Sequence, residues 1–220
     1  MKYILVLLAF LSGVAFAAPA VVVQVVATSE SSASTLHTLN IGTPAAGERL
    51  LVVLPAAAGG LTMPAGFSLI RSTSSGNVFG AKCHNTAYYY DANGSEGASV
   101  NVTSVSSFAM QAVVYRISGH DASTAPAVSS NYGNSATPKP ASLGAPWGVA
   151  DNLWFASFCS TGGTLVSFPA NYVNDQYGYN APTFGVASRV VTAALDWPSS
   201  FVISAVKGWA AHTIAIKPAP

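Results

Sequence analysis

The chain is expected to fold as an all-β protein, an antiparallel β-sandwich of jelly-roll type with about ten strands. Three observations predict it. Short runs rich in Val, Ile, Phe and Tyr recur along the sequence, clusters of Gly, Asn, Ser and Pro separate them, and no stretch carries a convincing 3.6-residue apolar period. β-Branched and aromatic side chains suit a pleated, half-buried surface, whereas Gly and Asn tolerate the positive φ of tight turns. Half of the 220 residues are apolar, enough for one sizeable core, so a single domain is expected over residues 21–220, preceded by a distinct segment at 1–20.

That first segment reads as a signal peptide or an apolar N-terminal arm. Lys2 precedes an apolar run at 3–11, and the small residues Ala15-Phe16-Ala17 and Ala18-Pro19-Ala20 give the A-x-A pattern of cleavage after Ala17 or Ala20. The run is too short to span a bilayer, so no integral membrane span is expected after processing. Residues 21–27 and 36–41 are short strand candidates around a Ser-rich turn. The stretch 49–58, RLLVVLPAAA, is apolar on both alternating faces and reads as a doubly buried strand; Pro55 with Gly47, Gly59 and Gly60 argues against a helix. Residues 63–67 turn the chain into a strand at 68–72.

The centre of the chain, 82–119, predicts three successive strands at 81–90, 98–103 and 108–117, with turns at 91–97 and 104–107. In the third, Phe108, Met110, Ala112 and Val114 share one face and Ala109, Val113, Tyr115 and Ile117 the other. Both faces are apolar, which predicts that the outer one is covered by a loop or by another subunit, and hence a multimer. Residues 121–146, rich in Ser, Pro, Asn and Ala, read as a long surface connection. Strands are expected again at 152–159, 185–194, 200–207 and 209–217, with an aromatic, Asn-rich stretch at 166–180 between the first two.

Charged residues are only 8% of the chain, against about 25% in an ordinary soluble domain. The nine basic residues are scattered from Lys2 to Lys217, which removes the clustered footprint that phosphate binding needs and argues against a nucleic-acid partner. A polar, uncharged surface suits extracellular exposure or packing between subunits.

Chemistry is sparse. No H-E-x-x-H, G-x-S-x-G, phosphate loop or dinucleotide fingerprint occurs, and the four histidines stand apart from one another, so no catalytic residue, metal ligand or cofactor is assigned. A Ser, His and acid triple could be drawn by hand, but it has no meaning without geometry. Asp91, Asn93 and Glu96 could offer oxygen ligands to calcium, and an ordinary hairpin turn accounts for the same residues. Cys83 and Cys159 fall on predicted strands; an even count behind a signal-like start favours a disulfide, and two buried free thiols are the alternative. One segment looks built for contact, 168–180, FPANYVNDQYGYN. There Tyr172, Tyr177 and Tyr179 are interleaved with Asn171, Asn174 and Asp175, flat rings among hydrogen-bonding groups that suit sugar stacking or a protein partner. Tyrosines that merely cap a core are the competing reading.

The succession Glu48-Arg49-Leu50-Leu51-Val52-Val53, Pro64-Ala65-Gly66-Phe67-Ser68-Leu69-Ile70, Tyr88-Tyr89-Tyr90, Asp91-Ala92-Asn93-Gly94-Ser95-Glu96-Gly97, Val113-Val114-Tyr115-Arg116-Ile117-Ser118-Gly119 and Trp209-Ala210-Ala211-His212-Thr213-Ile214-Ala215-Ile216 resembles β-sandwich proteins frequent in tailed-phage genomes and prophages. The resemblance implies a non-enzymatic structural role at a virion surface, as a capsid-decoration, head-fibre or tail-associated protein whose partners are copies of itself or other virion proteins. It carries over no catalytic residue. The signal-like start and the Tyr and Asn segment imply instead a secreted glycan-binding or adhesive module, with surface glycans as partners.

Overall fold

The computed structural model describes residues 18–30, 32–57, 59–76, 82–179 and 182–220, without the side chain of Asn174. The signal or arm at 1–17 lies outside the described residues. The described residues hold seventeen strands and no helix. These are β1 (Val21–Ser29), β2 (Ser34–Asn40), β3 (Arg49–Ala56), β4 (Leu61–Thr62), β5 (Ser68–Ser74), β6 (His84–Asp91), β7 (Ser99–Phe108), β8 (Gln111–Ser118) and β9 (Ala127–Ser135), followed by β10 (Leu143–Gly144), β11 (Asp151–Ser160), β12 (Leu165–Ser167), β13 (Val173–Gly178), β14 (Thr183–Thr192), β15 (Leu195–Asp196), β16 (Val202–Ile203) and β17 (Lys207–Ile216). Every pairing is antiparallel.

Two five-stranded sheets face each other in a sandwich-like arrangement, one ordered β1-β8-β3-β6-β5 and the other β13-β14-β11-β17-β9. Leu51, Val53, Val113 and Tyr115 of the first sheet meet Phe155, Val186, Ala210 and Ile214 of the second in the central core. The first sheet draws all its strands from residues 21–118 and the second all of its strands from residues 127–216. Strands of a jelly roll alternate between sheets, so neither that connectivity nor a count of ten describes the observed order.

Both sheets are also covered on their outer faces, which explains why four strands are apolar on both sides. A three-stranded sheet, β2-β7-β4, lies over the first. Its Leu39 and Val102, with Ile41, pack on Leu50, Val52, Leu54, Ala112 and Val114. Over the second sheet, Phe201 and Ile203 cover Ala156, Phe158, Trp209 and Ala211, while Leu143 and Ala145 cover Trp154 and Ala215. The apolar outer face of β8 is thus buried by the chain itself, and the inference of a multimer from that face does not stand.

Local departures from the sequence reading have physical causes. The expected turn at 104–107 is strand, because β4 and β2 both pair with β7 and the excess residues are absorbed as a register shift between Ser34 and Leu36. The expected surface connection at 121–146 contains β9, an edge strand registered along β17 from Ala127 to Ser135. Pro55 sits inside β3 at a rung where only β6 is paired, β8 having ended its pairing at Val53, so the missing N–H breaks no ladder bond on that side. Gly66 has φ +95° in the turn before β5, and a Cβ there would come within 2.7 Å of the Tyr90 ring, which stacks on Phe67 at 4.8 Å.

Candidate functional site

β13 forms an outer edge of the second sheet. The turn leading into it places Asn171 at φ +64°, an αL position that Asn tolerates better than most residues. From that turn the three tyrosines of the segment part company. Tyr172 is only 7% exposed and belongs to the outer core of the second sheet. Its hydroxyl donates to the buried carboxylate of Asp196, which also accepts from Arg189, and the Arg189 guanidinium lies 4.8 Å from the centre of the Tyr172 ring. Burial first, and then the Asp196 charge, pushes the phenol far above its ordinary range. Tyr172 is therefore a core cap, contrary to the contact role expected of it.

Tyr177 and Tyr179 are different. They are 52% and 49% exposed and pack edge to face at 4.9 Å, with Phe168 supporting Tyr177 at 6.3 Å. Asn171 and Asp175 are exposed beside them, and Gln176 is half-buried. Partial desolvation holds the Asp175 carboxyl above its ordinary range. The side chain of Asn174 lies outside what the structure describes. Two exposed rings, one on β13 and one just past its end, bordered by amide and carboxyl groups, can stack on an apolar face and accept or donate hydrogen bonds at its rim.

The structure also supplies the geometry missing from any hand-drawn triple. Glu30 Oε2 lies 2.7 Å from His37 Nδ1, and His37 Nε2 lies 3.1 Å from Ser104 Oγ. This is the order of a nucleophile, base and acid. Here, however, the imidazole is wholly enclosed, with Phe108 at 4.7 Å, and the Ser104 hydroxyl donates to the Ser106 carbonyl at 2.8 Å. Glu30 further accepts from the Met110 and Thr38 amides, so the triple ties the β1–β2 turn to β7 and β8.

A second charged cluster closes one end of the sandwich. Arg49, fully buried at the start of β3, donates to both oxygens of its cross-strand partner Asp91 at 2.6 and 2.8 Å and to the Thr124 carbonyl at 2.8 Å. His120 Nε2 approaches the same carboxylate at 3.1 Å. Burial opposes ionisation of Asp91, but the bonds from His120 and Arg49 outweigh it and hold its pKa at about 2. Next to it, Asp121 takes Lys217 at 2.7 Å and the Ser123 and Thr124 hydroxyls. The carboxylate of Glu96 accepts from the Asn93 and Gly94 amides and the Tyr90 hydroxyl. The oxygens weighed for calcium are thus engaged in a hairpin turn and an ion pair, and among the described residues no group of three or more His, Cys, Asp or Glu has the spacing to hold a metal ion. Arg189 and Asp196 escaped the sequence reading. An arginine amid the valines of an apolar strand was the available signal that a buried acid must lie nearby.

Cys83 and Cys159 are brought together. Both are wholly buried free thiols in the central core, from opposite sheets, close enough for each to perturb the other's ionisation. Two surface concavities lie elsewhere: a shallow groove of about 460 Å³ bounded by Thr62, Met63, Pro64, Val100, Asn101 and Thr103, and a cleft of about 190 Å³ between β1 and β14 that includes Val22, Val173 and Arg189. No helix among the described residues is long and apolar enough to cross a membrane. No protein-family model, no curated protein and no solved structure matches this chain.

Proposed function

We propose that the protein is a non-enzymatic surface-recognition module that contacts neutral glycans through the β13 edge, with Tyr177 and Tyr179 as the stacking residues. The exposed, mutually packed pair of rings carries this reading. Large aromatics left half in water at the end of an edge strand suit ligands with an apolar face and a hydroxyl rim, and the low charge of the chain suits uncharged ones. If the chain is exported, cleavage after Ala17 fits better than cleavage after Ala20, because Ala20 is part of the central core.

The test is the double substitution Tyr177→Ala/Tyr179→Ala, screened beside the unaltered protein on an array of neutral oligosaccharides and in a thermal melt. Binding should weaken about tenfold or more while the melting temperature moves by no more than a few degrees. An unaltered protein that binds none of the oligosaccharides, or a variant that binds as well, refutes the reading.

A second reading, a structural subunit of a phage virion surface that works as a multimer, draws support from the sequence resemblance and from exposed apolar side chains elsewhere, among them Trp197 at 69% exposure. Light scattering at high protein concentration tests it: a monomer throughout would count against it.

A further inference from the structure

Cys83 lies just before β6 and is fastened to the end of β5: its amide donates to the Ser75 hydroxyl at 3.1 Å and its carbonyl accepts from the Ser75 amide at 2.9 Å. Cys159 lies on β11 of the facing sheet, directly across from Ala210 of β17. Both thiols lie near the Ala210 backbone and near each other. Neither has any exposed surface, and both belong to the central core cluster that also holds Ala87, Phe155, Phe184 and Ala210. The pair is thus held side by side by two sheets, with neither thiol open to solvent.

We propose that Cys83 and Cys159 form a cross-sheet disulfide site whose redox state is set while the chain folds and is then locked by closure of the sandwich. The chemistry is thiol–disulfide exchange with a low-molecular-weight disulfide such as oxidised glutathione. The thiolate of one cysteine attacks a sulfur of that disulfide, forming a mixed disulfide and expelling one glutathione thiolate. The second cysteine, as its thiolate, attacks the protein sulfur of the mixed disulfide, forming the Cys83–Cys159 bond and expelling the other. The two protein protons end on the two glutathiones, so one disulfide is consumed for one made. The first attack needs a thiolate in reach of the dissolved disulfide, and the second needs room for the glutathione carried on the mixed disulfide. Burial pushes the Cys159 thiol well up, and neither thiol has exposed surface for a dissolved disulfide to meet, so exchange belongs to the open chain. A chain that closes reduced stays reduced, and one that closes oxidised resists reductant until it unfolds.

Two arms test this on the full chain. In the first, native reduced protein is held with oxidised and reduced glutathione in buffer without urea and in urea at and above the unfolding midpoint, then diluted and mapped by non-reducing peptide analysis. The linked Cys83 and Cys159 peptides should appear after urea treatment and be absent without it. In the second, the linked product is exposed to dithiothreitol natively and in urea, and free thiols are titrated; they should appear only in urea. A Cys159→Ser variant treated as in the first arm should carry a single glutathione, on Cys83. Mixed adducts without a linked peptide in the unaltered protein would refute the site. Equal rates of oxidation with and without urea would refute the lock. If the diluted chain does not refold, the urea-free samples still decide the lock, and linkage at the midpoint still decides the site.

Discussion

Lowering the pH should destabilise the fold well before its carboxylates titrate, and His212 is the reason. It sits on β17 in the central core, where its Nε2 meets Thr73 of the facing sheet at 3.0 Å. Next to that bond, Asn85 Nδ2 meets Ser157 at 3.0 Å, so a small polar seam crosses an otherwise apolar interface. Burial, helped by the nearby Arg71 charge, lowers the imidazole pKa from 6.5 to about 3. The folded state therefore refuses a proton that the unfolded chain accepts. Its contribution is complete above pH 6.5 and is lost as pH falls toward 3. The slope is about 1.4 kcal/mol per pH unit, or roughly 3 kcal/mol by pH 4.5. His84, lowered by burial and by Lys82, adds in the same direction. Asp91 acts in a lower window, because its depressed pKa of about 2 makes its stabilisation present above the ordinary carboxylate value and lost only below it. Urea denaturation at about pH 7, 5.5 and 4.5 reads the effect. The same series on His212→Gln should show a much shallower fall between the first and last conditions. A flat profile for the unaltered protein, or equal slopes for both, would show that the buried imidazole is not what acid attacks.

The strands legible in the sequence were those whose side chains alone identify them. β3, β11 and β17 are apolar on both faces, and their burial on both sides follows directly. What covers them was not legible. β2 and β7 are half polar, and they find their place through the ladder that joins them and a few inward residues such as Leu39 and Val102. β9 was missed for a related reason: AVSSNYGNS has no apolar alternation, and the strand is held by its backbone register with β17. The contact segment shows the same limit at the scale of single residues. Tyr172, Tyr177 and Tyr179 are alike in sequence, and what separates them is a carboxylate more than twenty residues on, which captures the first and leaves the other two in water. Long-range pairing carries that information, and local pattern does not.

Further expectations concern the buried ion pairs. Arg49→Lys keeps the charge but cannot hold both Asp91 oxygens and the Thr124 carbonyl in one plane, so it should cost about 2 to 3 kcal/mol in a urea titration. Nuclear magnetic resonance should then find the Asp91 carboxyl titrating above its present value of about 2. Tyr172→Phe asks a narrower question, because it deletes one hydroxyl and leaves the ring, its packing on the outer core and its contact with Arg189 in place. Asp196 then keeps Arg189 but loses a donor while remaining buried, which should destabilise by about 1.5 to 3 kcal/mol, the range for a hydrogen bond to a charged group. Glycan binding by the folded variant should be unchanged, since Tyr172 is closed to solvent and the proposed contact residues are Tyr177 and Tyr179. Lost binding at full stability would reverse the division between core and contact tyrosines on which the proposed site depends.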